Sequence, residues 1–295
     1  MSAPPPAQAG DGAIDEDPID RPHSPSPKRR NLAAIAAVLG QIGRSGERFI
    51  PEWIPYCGAA PVPAEWLARW NLDPLLLGAL ALAAALHFRS GDIVRGTDHA
   101  KFAAALVVLA IIFISPLCAL SSALFSVRTA HHLLLIGVAA PLLVLSRPSA
   151  AARLPGDLTI WTAAQTLAIW LWHAPPAYEA ALSSDLVYWT MQLALIASAV
   201  GFWAAIRRAP APSAAIALVV TMLQMGLLGA IITFAGRPLY APHLLTTSAW
   251  GLSPLQDQQI AGLVMWIPAS AIYLAAALLL LMRSLRHEQG PRPAA

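Results

Sequence analysis

Charge is what this chain has least of. Asp, Glu, Lys and Arg make up 12% of its 295 residues, where a soluble domain carries about a quarter. With 57% hydrophobic residues, that deficit places the chain among integral membrane proteins before any motif is read. Cysteine is nearly absent. Cys57 and Cys118 are the whole complement, so a disulfide framework and a CxxC redox or zinc motif are both excluded. The pair allows one bridge. Cys118 falls inside an apolar run, where a small buried hydrophobe is its expected role. There is no HExxH, no CxxxC, no His-x-His and no internal repeat. The net charge of +3 is scattered singly, and no basic face alternates with aromatics, so nucleic acid is not an expected partner.

What is present is a series of seven apolar runs, at residues 74–88, 101–120, 130–145, 158–172, 186–206, 214–234 and 260–282. The first, third and fourth are short for a bilayer core that needs about 20 residues. They borrow flanking residues or sit where the bilayer thins. Asp73-Pro74 is a helix-start signal, a capping acid before Pro at the first helical position. Pro116 and Pro141 predict kinks within their runs. Residues 1–48 read as a disordered or interfacial tail, with 31–43 too short and interrupted to span. Residues 49–73, rich in Pro and Trp, read as a periplasmic or interfacial loop. Residues 74–283 form the membrane domain and 284–295 a cytoplasmic tail.

Orientation follows from the basic residues. Arg89, Arg95, Lys101, Arg147, Arg153, Arg207, Arg208, Arg283, Arg286 and Arg292 lie at one set of ends. Of the connections between runs at the other ends, 2–3 holds Arg128, 4–5 holds none and 6–7 holds Arg237. The positive-inside rule puts the C-terminus in the cytoplasm. Lys28-Arg29-Arg30 argues the other way, but from well ahead of the first run. The expected fold is therefore an all-α integral membrane protein with seven transmembrane helices, N-terminus outside and C-terminus cytoplasmic.

That orientation gathers polar residues at the outer ends. His131 and His132 start the third run, His173 ends the fourth, Tyr188 and Gln192 open the fifth, His243 follows the sixth, and Asp257-Gln258-Gln259 precede the seventh. Each has a plain structural role available. An interfacial His can hydrogen-bond water, His243 can be a solvated loop residue, and Asp257 can cap the last helix. His131 and His132 are adjacent, so they point about 100° apart on a helix. Met191, Met222, Met225 and Met265 suit packing. The coincidence favours function, since ionisable groups in a membrane domain mark functional sites by default. Imidazole suits copper and zinc. His87 and His99, at the inner ends, have no comparable company.

Several stretches carry a family likeness. They are Trp70-Asn71-Leu72-Asp73-Pro74; His132-Leu133-Leu134-Leu135 with Ala140-Pro141-Leu142-Leu143; Leu171-Trp172-His173-Ala174-Pro175 with Tyr178, Ala181 and Leu182; Phe202-Trp203; and the run Asp257 to Trp266, with Gln258, Gln259 and Met265. Over roughly residues 70–285 the chain resembles the CtaG-type cytochrome c oxidase assembly factors found with bacterial caa-type oxidases. The resemblance implies a non-enzymatic, multi-pass protein of the bacterial inner (plasma) membrane. Its partners would be oxidase subunits and the lipid bilayer, and its work would be copper delivery or insertion at the periplasmic face. His132, His173 and His243 are then the candidate ligands, with His131 as an alternate. Asp257 would orient an imidazole or hold a partner. Arg128, Tyr178, Tyr188, Gln192, Gln258, Gln259, Met265 and Trp266 would serve structure or partner contact. The chain departs from the family pattern in one respect. Arg128, Tyr188 and Gln192 stand where members often carry further histidines. The rival readings are a zinc-dependent membrane hydrolase using three His, an Asp and Ser121 or Ser122, and a metal or small-solute transporter. The nearly charge-free span middles count against transport.

Overall fold

The computed structural model describes residues 55–89 and 96–288, and every regular element among them is helical. The expectations for residues 1–48, including the Lys28-Arg29-Arg30 run, lie outside the described residues, as do parts of the 49–73 loop and of the C-terminal tail. The main helices are α1 (Pro74–Arg89), α2 (Gly96–Phe113), α3 (Pro116–Ala123), α4 (Phe125–Ser146), α5 (Pro148–Ala152), α6 (Leu158–His173), α7 (Pro175–Ser183), α8 (Asp185–Arg208), α9 (Ala211–Phe234) and α10 (Pro254–Glu288). Four of them, α4, α8, α9 and α10, are long and apolar enough to cross a membrane. The bent pair α2–α3 makes a fifth if counted as one span. The helix α1 is apolar but shorter.

Asp73-Pro74 starts α1 as expected. The Asp73 carboxylate accepts from the Leu75 amide at 2.8 Å and from the Tyr56 hydroxyl. Those two bonds, the hydroxyl's first, hold its carboxyl below the usual carboxylate range. Pro116 does break its run. Helices α2 and α3 meet at 46°, with Ser115 capping α3 by accepting from the Leu117 amide. The carbonyls freed at the break are taken up by Asn71, whose side-chain amide donates to Phe113 O at 3.0 Å and whose backbone N–H donates to Ile114 O at 2.9 Å.

Pro141 behaves differently. Helix α4 widens into a π-turn over Leu135–Ala139, where the Ala140 amide bonds back to Leu135 O. The Ile136 carbonyl then faces position 141 in the π register, and proline has no N–H to offer. The Trp203 indole of α8 donates to Ile136 O at 2.9 Å instead. A proline kink is thereby absorbed as a π-bulge with a side-chain donor from the next helix.

Close contacts between helices rest on small residues. The backbones of α9 and α10 cross at Gly229 and Gly262. A methyl group on Gly229 would stand 2.7 Å from Gly262 O, and one on Gly262 would stand 2.5 Å from Gly229 O. Neither fits, so this crossing needs glycine on both sides. On the other flank the Trp161 ring of α6 lies flat against Gly201 of α8. The same two helices share the Ser198 to Gln165 hydrogen bond at 2.8 Å.

The distribution of residue types is inside out relative to a soluble protein. Leu75 is 83% exposed, Leu186 78% and Phe234 75%. Arg128, Gln165, Gln192, Asp257 and five histidines are meanwhile buried. An apolar exterior around a polar interior is what lipid as solvent selects. At the end of the molecule carrying most of the arginines, His87 is not isolated. Arg147 Nε donates to its Nδ1 at 2.9 Å, and its ring stacks on Phe102 at 3.9 Å, tying α1 to the α4–α5 turn.

Candidate functional site

Helix α4 begins at Phe125, ahead of its apolar run. Arg128, His131 and His132 therefore lie one to two turns inside the helix, not at its end. The polarity of Ser126, Arg128, Thr129 and the two histidines hid this first turn from a reading by hydropathy. Spaced i, i+3 and i+4, Arg128, His131 and His132 share one flank of α4, and all three are buried.

Asp257 sets the start of α4. From the first turn of α10 its carboxylate accepts the amides of Phe125 at 2.6 Å and Ser126 at 3.2 Å, and the Ser126 hydroxyl. An anion held at the N-terminus of a neighbouring helix satisfies orphan N–H groups and favours the helix dipole. The capping role expected of Asp257 thus falls on a different helix. These bonds go to α4 and not to an imidazole.

Gln258 fixes the loop above. Its amide oxygen accepts from Leu239 N at 2.6 Å, and its nitrogen donates to Ile232 O at 3.1 Å and Arg237 O at 3.3 Å. This holds the 235–253 connection against α10 and places the short helical turn Ala241–His243. His243 is buried, not a solvated loop residue. Its Nδ1 faces Ala123 O at 3.3 Å, so that nitrogen carries the proton. Its Nε2 accepts from Tyr178 OH at 2.7 Å. Burial pushes its pKa down to about 3, with the Ala123 carbonyl opposing and the Arg128 charge adding. Both of its ring nitrogens thus take part in hydrogen bonds, which tie the loop to α7 and α3.

His132 and His173 do come together. His132 Nδ1 and His173 Nε2 are 3.4 Å apart, with the rings perpendicular. His173 Nδ1 faces Ile169 O at 2.8 Å and so carries its proton, leaving Nε2 as a lone pair aimed at His132. His132 Nε2 has no hydrogen-bond partner. His131 turns away from this pair, as adjacent helical positions require. Its ring sets edge-on to Phe113, and neither of its nitrogens is bonded. Among the described residues no three or more His, Cys, Asp or Glu side chains are grouped to hold one metal ion. Ser121 gives its hydroxyl to Cys118 O at 2.6 Å.

Arg128 lies over the Tyr188 ring, 5.3 Å from its centroid. Gln192 follows Tyr188 by one turn of α8 and is also buried. Aromatic rings close this end: Phe125 stacks on Tyr240 at 3.8 Å, and Tyr178 meets both edge-on. Tyr240 OH donates to His173 O at 2.8 Å. Met191, Met225 and Met265 are packed in the apolar core, as expected of methionine here. Gln259 is half-buried, and Trp266 leans over Gly226 and Gly229 at the α9–α10 crossing.

Sequence reasoning missed the roof of the site. Cys118 is not a free buried thiol, because it forms a disulfide with Cys57. The bridge pins the 55–73 segment over the bundle. There Tyr56 stacks on Tyr188 at 5.0 Å, and Cys57 Sγ lies 3.7 Å from Tyr188 OH. Pro61 O accepts from the Trp250 indole at 3.1 Å. The signal was present in a chain with only two cysteines, but nothing in their spacing links residue 57 to a position inside an apolar run.

No curated protein and no solved structure matches the chain significantly. The family model for the cytochrome c oxidase caa3 assembly factor (Caa3_CtaG) matches residues 78–287. That span runs from within α1 almost to the end of α10 and takes in every histidine of the buried cluster, so the chain belongs to the cytochrome c oxidase caa3 assembly factor family.

Proposed function

We propose that this chain assists oxidase assembly by holding copper transiently between His132 and His173 at the periplasmic face of the plasma membrane. One observation carries the reading: two buried imidazole nitrogens, from α4 and α6, face each other at 3.4 Å. Two nitrogens bound to one tetrahedral ion at ~2.0–2.1 Å stand roughly 3.4 Å apart. Imidazole is a good copper donor. Two protein ligands leave the ion's coordination incomplete. An incomplete shell suits a carrier that passes its cargo to a partner, because the incoming ligand needs no vacated position.

The topology behind this reading is seven crossings, with α1, the α2–α3 pair and α6 added to the four long helices. The C-terminus is cytoplasmic. Charge supports the orientation, since Arg147, Arg153, Arg207, Arg208 and Arg283 lie away from the histidine end. The disulfide supports it too, because such bridges persist in oxidising compartments. Oxidase subunits are the partners. A C-terminal fluorescent-protein fusion that stayed dark, with a phosphatase fusion that was active, would overturn the orientation.

The test is genetic and chemical. Deleting the gene should lower the copper content and activity of the oxidase. Wild-type protein should restore both, and His132→Ala or His173→Ala should not, although each variant accumulates in the membrane. Full rescue by both variants would remove the ligand claim, and a normal oxidase in the deletion strain would remove the assembly role for this chain.

A further inference from the structure

The histidine pair does not account for the most costly group in this interior. Arg128 is fully buried, and its Nε, Nη1 and Nη2 have no hydrogen-bond partner. A guanidinium stays protonated in a protein interior, and a buried charge is tolerated only when paired and hydrogen-bonded. The cation–π contact with Tyr188 occupies one face of the guanidinium plane. It leaves the N–H fork in the plane unused. The hydroxyls of Tyr178 and Tyr188 lie beside the guanidinium, but neither makes a hydrogen bond of normal length and angle to it. The buried acid at this end, Asp257, gives its carboxylate to the N-terminus of α4. The only ion pairs among the described residues are Arg69–Glu65 and Lys101–Asp98.

The surroundings of Arg128 are unsatisfied in the same way. Both ends of the Gln192 amide and both nitrogens of His131 are buried without a hydrogen bond of normal length and angle, although the two side chains face each other. His131 is one turn from Arg128 on α4, and Gln192 is one turn from Tyr188 on α8. Three unpartnered polar side chains therefore converge from two helices on one interior place. All are planar, and together they offer a guanidinium fork, an amide N–H and an imidazole N–H. A buried set of this kind calls for an occupant, because every unmet group adds cost.

We propose that Arg128, with Gln192 and His131, binds a small carboxylate-class monoanion in the interior of the bundle. The guanidinium fork matches two carboxylate oxygens in one plane. The single charge fits as well, since Arg128 is the only buried Lys or Arg among the described residues. One cation neutralises a monoanion, whereas a phosphate dianion would keep an uncompensated charge. The carboxylate is either a free small organic acid or a carboxylate presented by a partner chain. The copper reading is not needed for this site, which forms in the metal-free protein.

The experiment uses the full-length, metal-free protein in detergent. Thermal unfolding is followed by tryptophan fluorescence while sodium acetate replaces sodium chloride at constant ionic strength. Native mass spectrometry is run in parallel on protein purified in carboxylate-free buffer. A saturable rise in Tm with acetate but not chloride, absent in Arg128→Gln, is expected. Gln192→Leu, which keeps the cation, should weaken acetate roughly tenfold through the lost hydrogen bond. An Arg128-dependent organic-acid adduct in the purified protein assigns the free source. A purified site that is empty and fills with acetate assigns the partner chain. Equal shifts with acetate and chloride, or the same acetate shift in Arg128→Gln and Gln192→Leu, overturn the proposal. So does wild-type protein with neither an adduct nor a saturable acetate effect, which would mean water alone satisfies the arginine.

Discussion

At the residue scale, the outer histidines separate by what their nitrogens touch. His243 is spent on structure, with Tyr178 and Ala123 taking both of its nitrogens. Its depressed pKa of about 3 has a signed consequence. Between that value and the ordinary His value near 6.5, the unfolded chain binds a proton that the folded protein refuses. The stability from His243 is whole above about pH 6.5 and is lost as pH falls towards 3, by up to ~1.4 kcal/mol per pH unit. His243→Asn should flatten the acid limb of a stability–pH profile measured by denaturant unfolding in detergent. An unchanged slope would show that another group sets that limb. His132 and His173, by contrast, face each other, and His132 Nε2 has no hydrogen-bond partner. The i, i+4 relation of Arg128 and His132 was readable from the sequence. Their burial and the hydrogen bonding of His243 were not, because the first depends on neighbouring helices and the second on a loop held in place by Gln258.

At the element scale, contacts too close for any side chain decide how the helices sit. Gly262→Ala should force α9 and α10 apart and cost about 1–3 kcal/mol, as overpacking does. Because the same crossing positions Gln258, it should also loosen the 235–253 loop, seen as faster hydrogen exchange there. Gly78 of α1 has nothing within 4 Å of a would-be methyl group. Gly78→Ala should leave stability equal or raise it by roughly 0.5–1 kcal/mol from helix propensity alone. If both substitutions behaved alike, the crossing would not be the close contact described. The π-turn gives a third case. Trp203→Phe keeps the ring packing and removes the donor to Ile136 O, and should cost about 1–3 kcal/mol for one unmet buried carbonyl. Proline positions forecast that α3 and α4 would be irregular. They did not forecast that Pro116 would break its run while Pro141 would be absorbed, since the difference is a tryptophan on another helix.

At the scale of the whole molecule, the Cys57–Cys118 bridge closes a loop of sequence separation 61 and ties the 55–73 segment over Tyr188. Cys118→Ser should destabilise the protein by about 2–4 kcal/mol and free the Tyr56 stack, raising protease sensitivity within that segment. In intact cells neither cysteine should react with a maleimide until a reductant is added. Ready labelling without reduction would contradict an oxidising surround for this end.

Low charge and long apolar runs were enough to indicate a helical membrane protein, because both are properties of composition and local pattern. Short stretches such as Leu171 to Pro175 and Asp257 to Trp266 were enough to point to the family, because they are local and need no neighbour to be recognised. The chemistry of the buried end was decided by tertiary structure. Which histidines meet, which acid caps which helix, and that Arg128 is left with an unused fork all depend on groups brought together from α4, α6, α8 and α10. Those pairings span 41 residues between His132 and His173 and 132 between Phe125 and Asp257. No periodicity within one helix encodes them. They arise because lipid holds the apolar faces outward and leaves the polar side chains only one another to satisfy.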